Sequence, residues 1–175
     1  MISCEKGDVI KMFRIDDYIV YGLTGVCKVK GIKEECFLNY PAQSFYILSP
    51  ISSPEMTIKV SVAHGNETIR MVHSKDEVNQ LIQGIPDLEL LWIKDDRERN
   101  QKFRCMVKQG NCSDLITIVK TIYSYRTLED FKGTRLNKSD DEVFEIAEKL
   151  LNEELGFILD LNPEEIPNYI EQYIA

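Results

Sequence analysis

The sequence predicts an α+β protein, with a small antiparallel β module first and an all-helical module second. Three observations predict this order. Short β-branched and aromatic runs, separated by turn residues, fill the chain from Asp17 to about Met71. Ser74 with Glu77 three residues later then forms a capping signature. From there to the end, apolar residues recur at helical spacing. The expected divisions are residues 1–11 as an N-terminal extension, 12–73 as the β module and 74–175 as the helical module.

The elements follow in order. Met1–Lys11 looks detached from the pattern that begins with "MFRIDDYIVYGL", and the codons of Lys6-Gly7-Asp8 can spell a ribosome-binding site. Met12 is therefore the expected native start, with an upstream extension ahead of it. "DYIVYGL" and "GVCKVKGIK" are strands parted by "TG"; "QSFYILSPI" and "MTIKVSV" flank the turn-rich "SSPE"; "ETIRMV" follows the turn "HGN". Five short strands with short links suit a small antiparallel barrel or a strongly bent sheet.

The helical half opens with "SKDEVNQLI". A second helix is expected from about Asp87 to Gln109, closed by Gly110. A third begins after Asn111 or Ser113 and carries Leu115, Ile116, Val119, Ile122 and Tyr123. After the linker "FKGTRLNK", "SDDEVFEIAEKLLNEELGFIL" has Ser139 as cap, acids in its first turn and an apolar stripe from Val143 to Ile158. Asn162 and Pro163 start a short last helix, Glu164 to Tyr173.

Composition narrows the function classes. The chain has 175 residues, 43% of them hydrophobic and 29% charged, so it can bury a core. No apolar run approaches the roughly 20 residues needed to span a bilayer, and the N-terminus lacks the apolar core of a secretion signal. A cytoplasmic protein with no membrane partner is the expectation. The net charge of −8 is unevenly spread. Residues 1–91 carry 9 basic and 12 acidic side chains, residues 92–135 carry 10 and 6, and residues 136–175 carry 2 and 11. A polyanion responds to charge within about 10 Å, so the middle block can meet nucleic acid although the whole is acidic.

Enzyme templates fail. There is no G-x-x-x-x-G-K-[ST], G-x-G-x-x-G or G-x-S-x-G. The two histidines, His64 and His73, lie outside any spaced motif and read as solvated turn residues. Asp16-Asp17, Asp95-Asp96 and Asp140-Asp141 are adjacent acids whose side chains point apart. The five cysteines (Cys4, Cys27, Cys36, Cys105 and Cys112) are scattered, with no C-x-x-C pair, and most read as buried apolar thiols. The expectation is a protein that is not an enzyme and holds neither metal nor cofactor.

One segment stands out. "LWIKDDRERNQKFRCMVKQG" holds the only tryptophan, Trp92, followed by six basic residues. On a helical wheel, Phe103, Met106 and Val107 gather with Trp92, while Lys94, Arg97, Arg104 and Lys108 gather opposite, with Arg99 on the tryptophan side. Periodicity alone makes Trp92 a core anchor and the basic stripe a solvated face. The alternative is an indole beside cations, suited to a nucleic-acid groove, with Arg126, Lys132, Arg135 and Lys138 extending the patch.

The order of segments resembles a known family. "MFRIDDYIVYGLTGVCKVKGI", "SFYILSP", "MTIKVSV" and "IRMVHSKDEVNQLI" follow the order found in CarD/CdnL-type bacterial transcription regulators. "W-x-x-D-x-R-x-R-x-x-x-F" and "SDDEVFEIAEKLLNEELGFIL" look closest to the Firmicute version. The resemblance implies a Tudor-like β-barrel that binds the β subunit of bacterial RNA polymerase. It also implies a helical domain that contacts promoter DNA near the −10 element, weakly and by structure, changing open-complex stability. By resemblance, Trp92 takes a wedge role at the bubble edge, and Arg97, Arg99, Lys102 and Lys108 take phosphate contacts. Lys59 faces polymerase, with Tyr46, Ile47, Ile58 and Val60 shaping its strand and contact edge. Arg70 reads as a polymerase-module residue or a structural ion-pair residue. The alternative function is a protein-interaction module whose helical half is structural and does not touch DNA.

Overall fold

The computed structural model describes residues 13–36, 41–63, 69–127 and 136–174. The proposed extension before Met12, the His64 turn, and Lys132 and Arg135 lie outside the described residues.

Five antiparallel strands come first: β1 (Tyr18–Tyr21), β2 (Gly25–Glu35), β3 (Gln43–Pro50), β4 (Ile58–Ser61) and β5 (Ile69–Met71). Their spatial order is β4-β3-β2-β1-β5. The expected barrel does not close. β4 and β5 are opposite edges, only four and three residues long, and no ladder joins them among the described residues. The long strand β2 carries a register shift between Val29 and Gly31, an irregularity of the kind that bends a strand. Its inner face buries Ile19, Cys27, Val29, Tyr46, Leu48, Val60 and Ile69. Phe13 closes this core, its ring edge-on to Tyr46 at 5.7 Å and its backbone N–H donating to the Tyr46 hydroxyl at 3.1 Å.

Five α-helices follow among the described residues: α1 (Lys75–Gln83), α2 (Asp96–Gln109), α3 (Cys112–Thr127), α4 (Lys138–Leu159) and α5 (Ile166–Ile174). Ser74 and Glu77 form the expected capping box of α1. Three boundaries differ from expectation. α2 starts at Asp96 rather than near Asp87, because the Asp95 side chain accepts from the Glu98 N–H at 2.8 Å and caps it there. Leu88 and Leu91 still pack on the helical core, but from irregular chain, so their spacing imitated a helix. Asn137, not Ser139, caps α4 by accepting from the Asp140 N–H at 2.8 Å. The last helix is preceded by a 3-10 turn, Pro163–Glu165.

The helices pack around Ile82, Phe103, Ile118, Ile122, Ala147 and Leu155, all nearly inaccessible. α4 also meets the sheet. The β1–β2 turn points Val26 N–H at Glu153 Oε1, 3.0 Å away, and Tyr18 lies against Phe157 at 4.6 Å. Gly25 is required at this contact. Its φ of +83° is unfavourable for other residues, and a Cβ there would collide with Glu153 Oε1.

Candidate functional site

The register of β3 and β4 sorts the residues expected to meet polymerase. Tyr46 pairs with Val60, Ile47 with Lys59 and Leu48 with Ile58. Paired residues share a face, and faces alternate along a strand. Tyr46 and Val60 therefore point inward and are buried, which removes both from a contact surface. Ile58 is partly buried against the same core. Ile47 and Lys59 point outward. On the other side of Ile47 stands Gly31, with open space where a Cβ would be, so the isoleucine is bare on that flank. The Lys59 side chain is half exposed and paired with Glu35 from the end of β2. β4 is a sheet edge, so this pair of outward residues sits beside a backbone edge with no strand partner among the described residues.

The second surface surrounds α2. Trp92 lies ahead of the helix, partly exposed, and stacks on Tyr125 of α3 at 3.5 Å with 11° between the planes. Arg99 places its guanidinium 4.1 Å from the indole centroid. Arg99 is 3% exposed, contrary to its expected role as a phosphate contact. Its Nε donates to Asp140 Oδ2 at 3.1 Å, its Nη1 to the Ile93 carbonyl at 2.6 Å and its Nη2 to Asp96 Oδ1 at 2.7 Å. Burial works against its charge, but the hydrogen bonds to Asp140 and Asp96 outweigh burial and raise its pKa. The bond from Arg99 holds the Asp96 carboxyl below its ordinary range. Asp140 is fully buried, so this arginine serves the fold.

Arg97, Lys102 and Lys108 are exposed on α2 but do not share one face. Arg97 and Arg104 line an open groove of about 440 Å³ with Asp96, Asn100, Gln101, Asn137 and Ser139. Seven residues apart, they stand above one another on the helix, and Lys108 continues that row. Lys102 faces a different groove, with Glu89, Leu91, Met106 and Asp114. The family resemblance does not point to Arg104, although the helical wheel groups it with Arg97 and Lys108. Lys94 precedes the helix. Arg126 is paired with Asp141 at 2.8 Å and covers the Phe144 ring.

A third cluster joins sheet and helices. Arg70 of β5 donates to both carboxylate oxygens of Glu154, at 2.7 and 2.6 Å, and to the Gly110 carbonyl. His73 Nδ1 lies 3.1 Å from Glu154 Oε1, so His73 is a partly buried junction residue rather than a solvated one. Burial opposes ionisation of Glu154, but the bonds from Arg70 and His73 prevail and lower its pKa. Cys112 lies beside them, its thiol pushed up to about 12 by burial and by the Glu154 charge. His73, Cys112 and Glu154 offer metal-ligand atoms within 4.8 Å of one another. The guanidinium already occupies both oxygens of the carboxylate, the position a cation would take. Among the described cysteines, Cys27 and Cys112 are buried as expected, whereas Cys36 and Cys105 are exposed.

Residues 13–73 match the CarD-like/TRCF RID domain family model. This segment thus has the fold of an RNA polymerase-interacting domain, whose family is one of protein interaction rather than catalysis. No curated protein matches the chain. No helix among the described residues is long and apolar enough to cross a membrane.

Proposed function

We propose that this protein is a transcription regulator that binds the β subunit of bacterial RNA polymerase through the β4 edge and contacts promoter DNA near the −10 element through its helical half. The observation that carries the reading is the family match over residues 13–73, joined to an outward pair formed by Lys59 on the edge strand β4 and Ile47 on its neighbour β3. An edge strand can be extended by a partner strand, with side-chain pockets adding specificity. Lys59 can exchange its internal partner Glu35 for an acidic group on polymerase.

The DNA contact uses Trp92 as the apolar element at the bubble edge, with Arg97, Arg104 and Lys108 as a row of cations, and Lys102 on a separate flank. An indole meeting an opening base step carries no base code, so recognition follows DNA structure rather than sequence. A few phosphate contacts give free-DNA binding on the order of 10⁻⁴ M or weaker at physiological salt. Polymerase binding raises the effective concentration of the helical half at the promoter, so the two modest contacts act together. The protein thereby changes open-complex stability.

A second reading, a polymerase-interaction module with a purely structural helical half, is favoured by the buried Arg99 and the stacked Trp92. Retention on immobilised polymerase, with Lys59→Glu as contrast, tests the shared part of both readings. Trp92→Ala separates them: under the proposed function it keeps polymerase binding and loses the effect on open-complex lifetime.

A further inference from the structure

Two groups crowd the same ring. Tyr125 lies parallel to Trp92 with centroids 3.5 Å apart, so it fills one face of the indole. The Arg99 guanidinium carbon is 4.1 Å from the same ring centroid. In the plane of the ring that distance would overlap the indole's own rim, and on the tyrosine side it would overlap the phenol. The guanidinium therefore covers the opposite face. Arg99, Trp92 and Tyr125 form a three-layer stack, and the exposed part of Trp92 is its edge.

The outer layers are themselves fixed. Arg99 is anchored on Asp140 in the first turn of α4, on Asp96 and on the carbonyl of Ile93, the residue after the tryptophan. Tyr125 is 9% exposed near the end of α3. The segment that carries Trp92 has no regular hydrogen-bonded structure, so its backbone alone would leave the indole free to change rotamer.

We infer that Arg99 and Tyr125 are positioning residues that hold Trp92 edge-outward, so that it meets a base step as a fixed blade with both faces on protein. The inference rests on the DNA contact proposed above. A base has no open indole face to stack on unless Arg99 or Tyr125 is expelled. Because Asp140 and Asp96 neutralise Arg99, phosphate attraction is left to the exposed cations of α2, Arg97 and Arg104.

Trp92 is the only tryptophan in the sequence, so fluorescence excited at the red edge, beyond tyrosine absorption, reports this ring alone. Arg99→Lys keeps a cation opposite Asp140 but loses the flat guanidinium; Tyr125→Leu removes the other layer; Tyr125→Phe keeps a ring. Arg99→Lys and Tyr125→Leu should retain wild-type circular dichroism and polymerase binding. Acrylamide quenching of Trp92 should rise about twofold in both, while Tyr125→Phe stays near wild type. Their effect on open-complex lifetime should fall toward that of Trp92→Ala. Unchanged quenching in both variants overturns the positioning role, as does a looser indole with a wild-type effect on lifetime. If Trp92→Ala itself has a wild-type effect, the DNA contact fails, while quenching still decides separately whether Arg99 and Tyr125 hold the ring.

Discussion

Arg70 and Glu154, 84 positions apart, meet through two hydrogen bonds of 2.6 and 2.7 Å and tie the last strand of the sheet to α4. Glu154 is 2% exposed, so its charge depends on this partner. Removing one member of a buried pair typically costs about 3–5 kcal/mol, because the other is left uncompensated. Arg70→Ala should therefore lower the unfolding free energy measured in urea by an amount near that range, discounted for the partial exposure of Arg70. The folded pKa of Glu154 is depressed, so its contribution is present above the unfolded value near 4.5 and is lost as pH falls through the folded pKa. Wild-type stability should fall more steeply below about pH 4.5 than that of Glu154→Gln.

The adjacent acid should behave in the opposite way. Burial raises the Glu153 pKa, although Val26 N–H opposes that shift. A raised acid pKa means that ionisation costs more in the folded state than in the unfolded chain. Glu153→Gln keeps an acceptor for Val26 and removes the buried charge. Denaturation at pH 7 should show it as stable as wild type or more so, in contrast to Glu154→Gln.

Gly25→Ala should cost about 2 kcal/mol or more, since it combines a left-handed backbone with a collision at Glu153. Thermal melting checks this. The loss should be partly relieved in the double variant with Glu153→Ala, which opens the space but leaves the φ penalty.

Arginines of α2 should separate by role. Arg97→Ala and Arg104→Ala should leave stability within about 0.5 kcal/mol of wild type. Each should lower the salt slope of DNA binding by about one. Arg99→Ala should instead destabilise by about 3 kcal/mol, because Asp140 is left buried and unpaired. Parallel melting and salt titrations distinguish the two groups.

Thiol labelling should follow burial. Cys36 and Cys105 should react with a water-soluble thiol reagent in the native protein, whereas Cys27 and Cys112, both pushed up to about 12, should react only on unfolding. Peptide mapping after a short pulse reads this directly.

Local chemistry was legible in the sequence. Ser74 and Glu77 announced α1, and β-branched runs marked the strands. The start of α2 was obscured because Leu88, Leu91 and Trp92 have helical spacing yet pack from irregular chain. Asp95 and Glu98 held the better signal. The run "FYIL" in β3 is apolar throughout, so it did not reveal that Tyr46 faces in and Ile47 out. The register with Lys59 and Val60 decides that. Burial of Arg99 depends on Asp140, 41 residues away, and the Arg70–Glu154 tie spans 84; neither is a local pattern. The open sheet likewise depends on long-range pairing that the strand pattern alone left between a barrel and a bent sheet.

The central claim is that the β4 edge binds RNA polymerase. The protein passed over immobilised bacterial RNA polymerase, beside Lys59→Glu of equal stability, tests it most directly. The account predicts retention of the wild type and loss of most retention in Lys59→Glu. Wild-type protein that flows through unretained, or equal retention of both proteins, would contradict it.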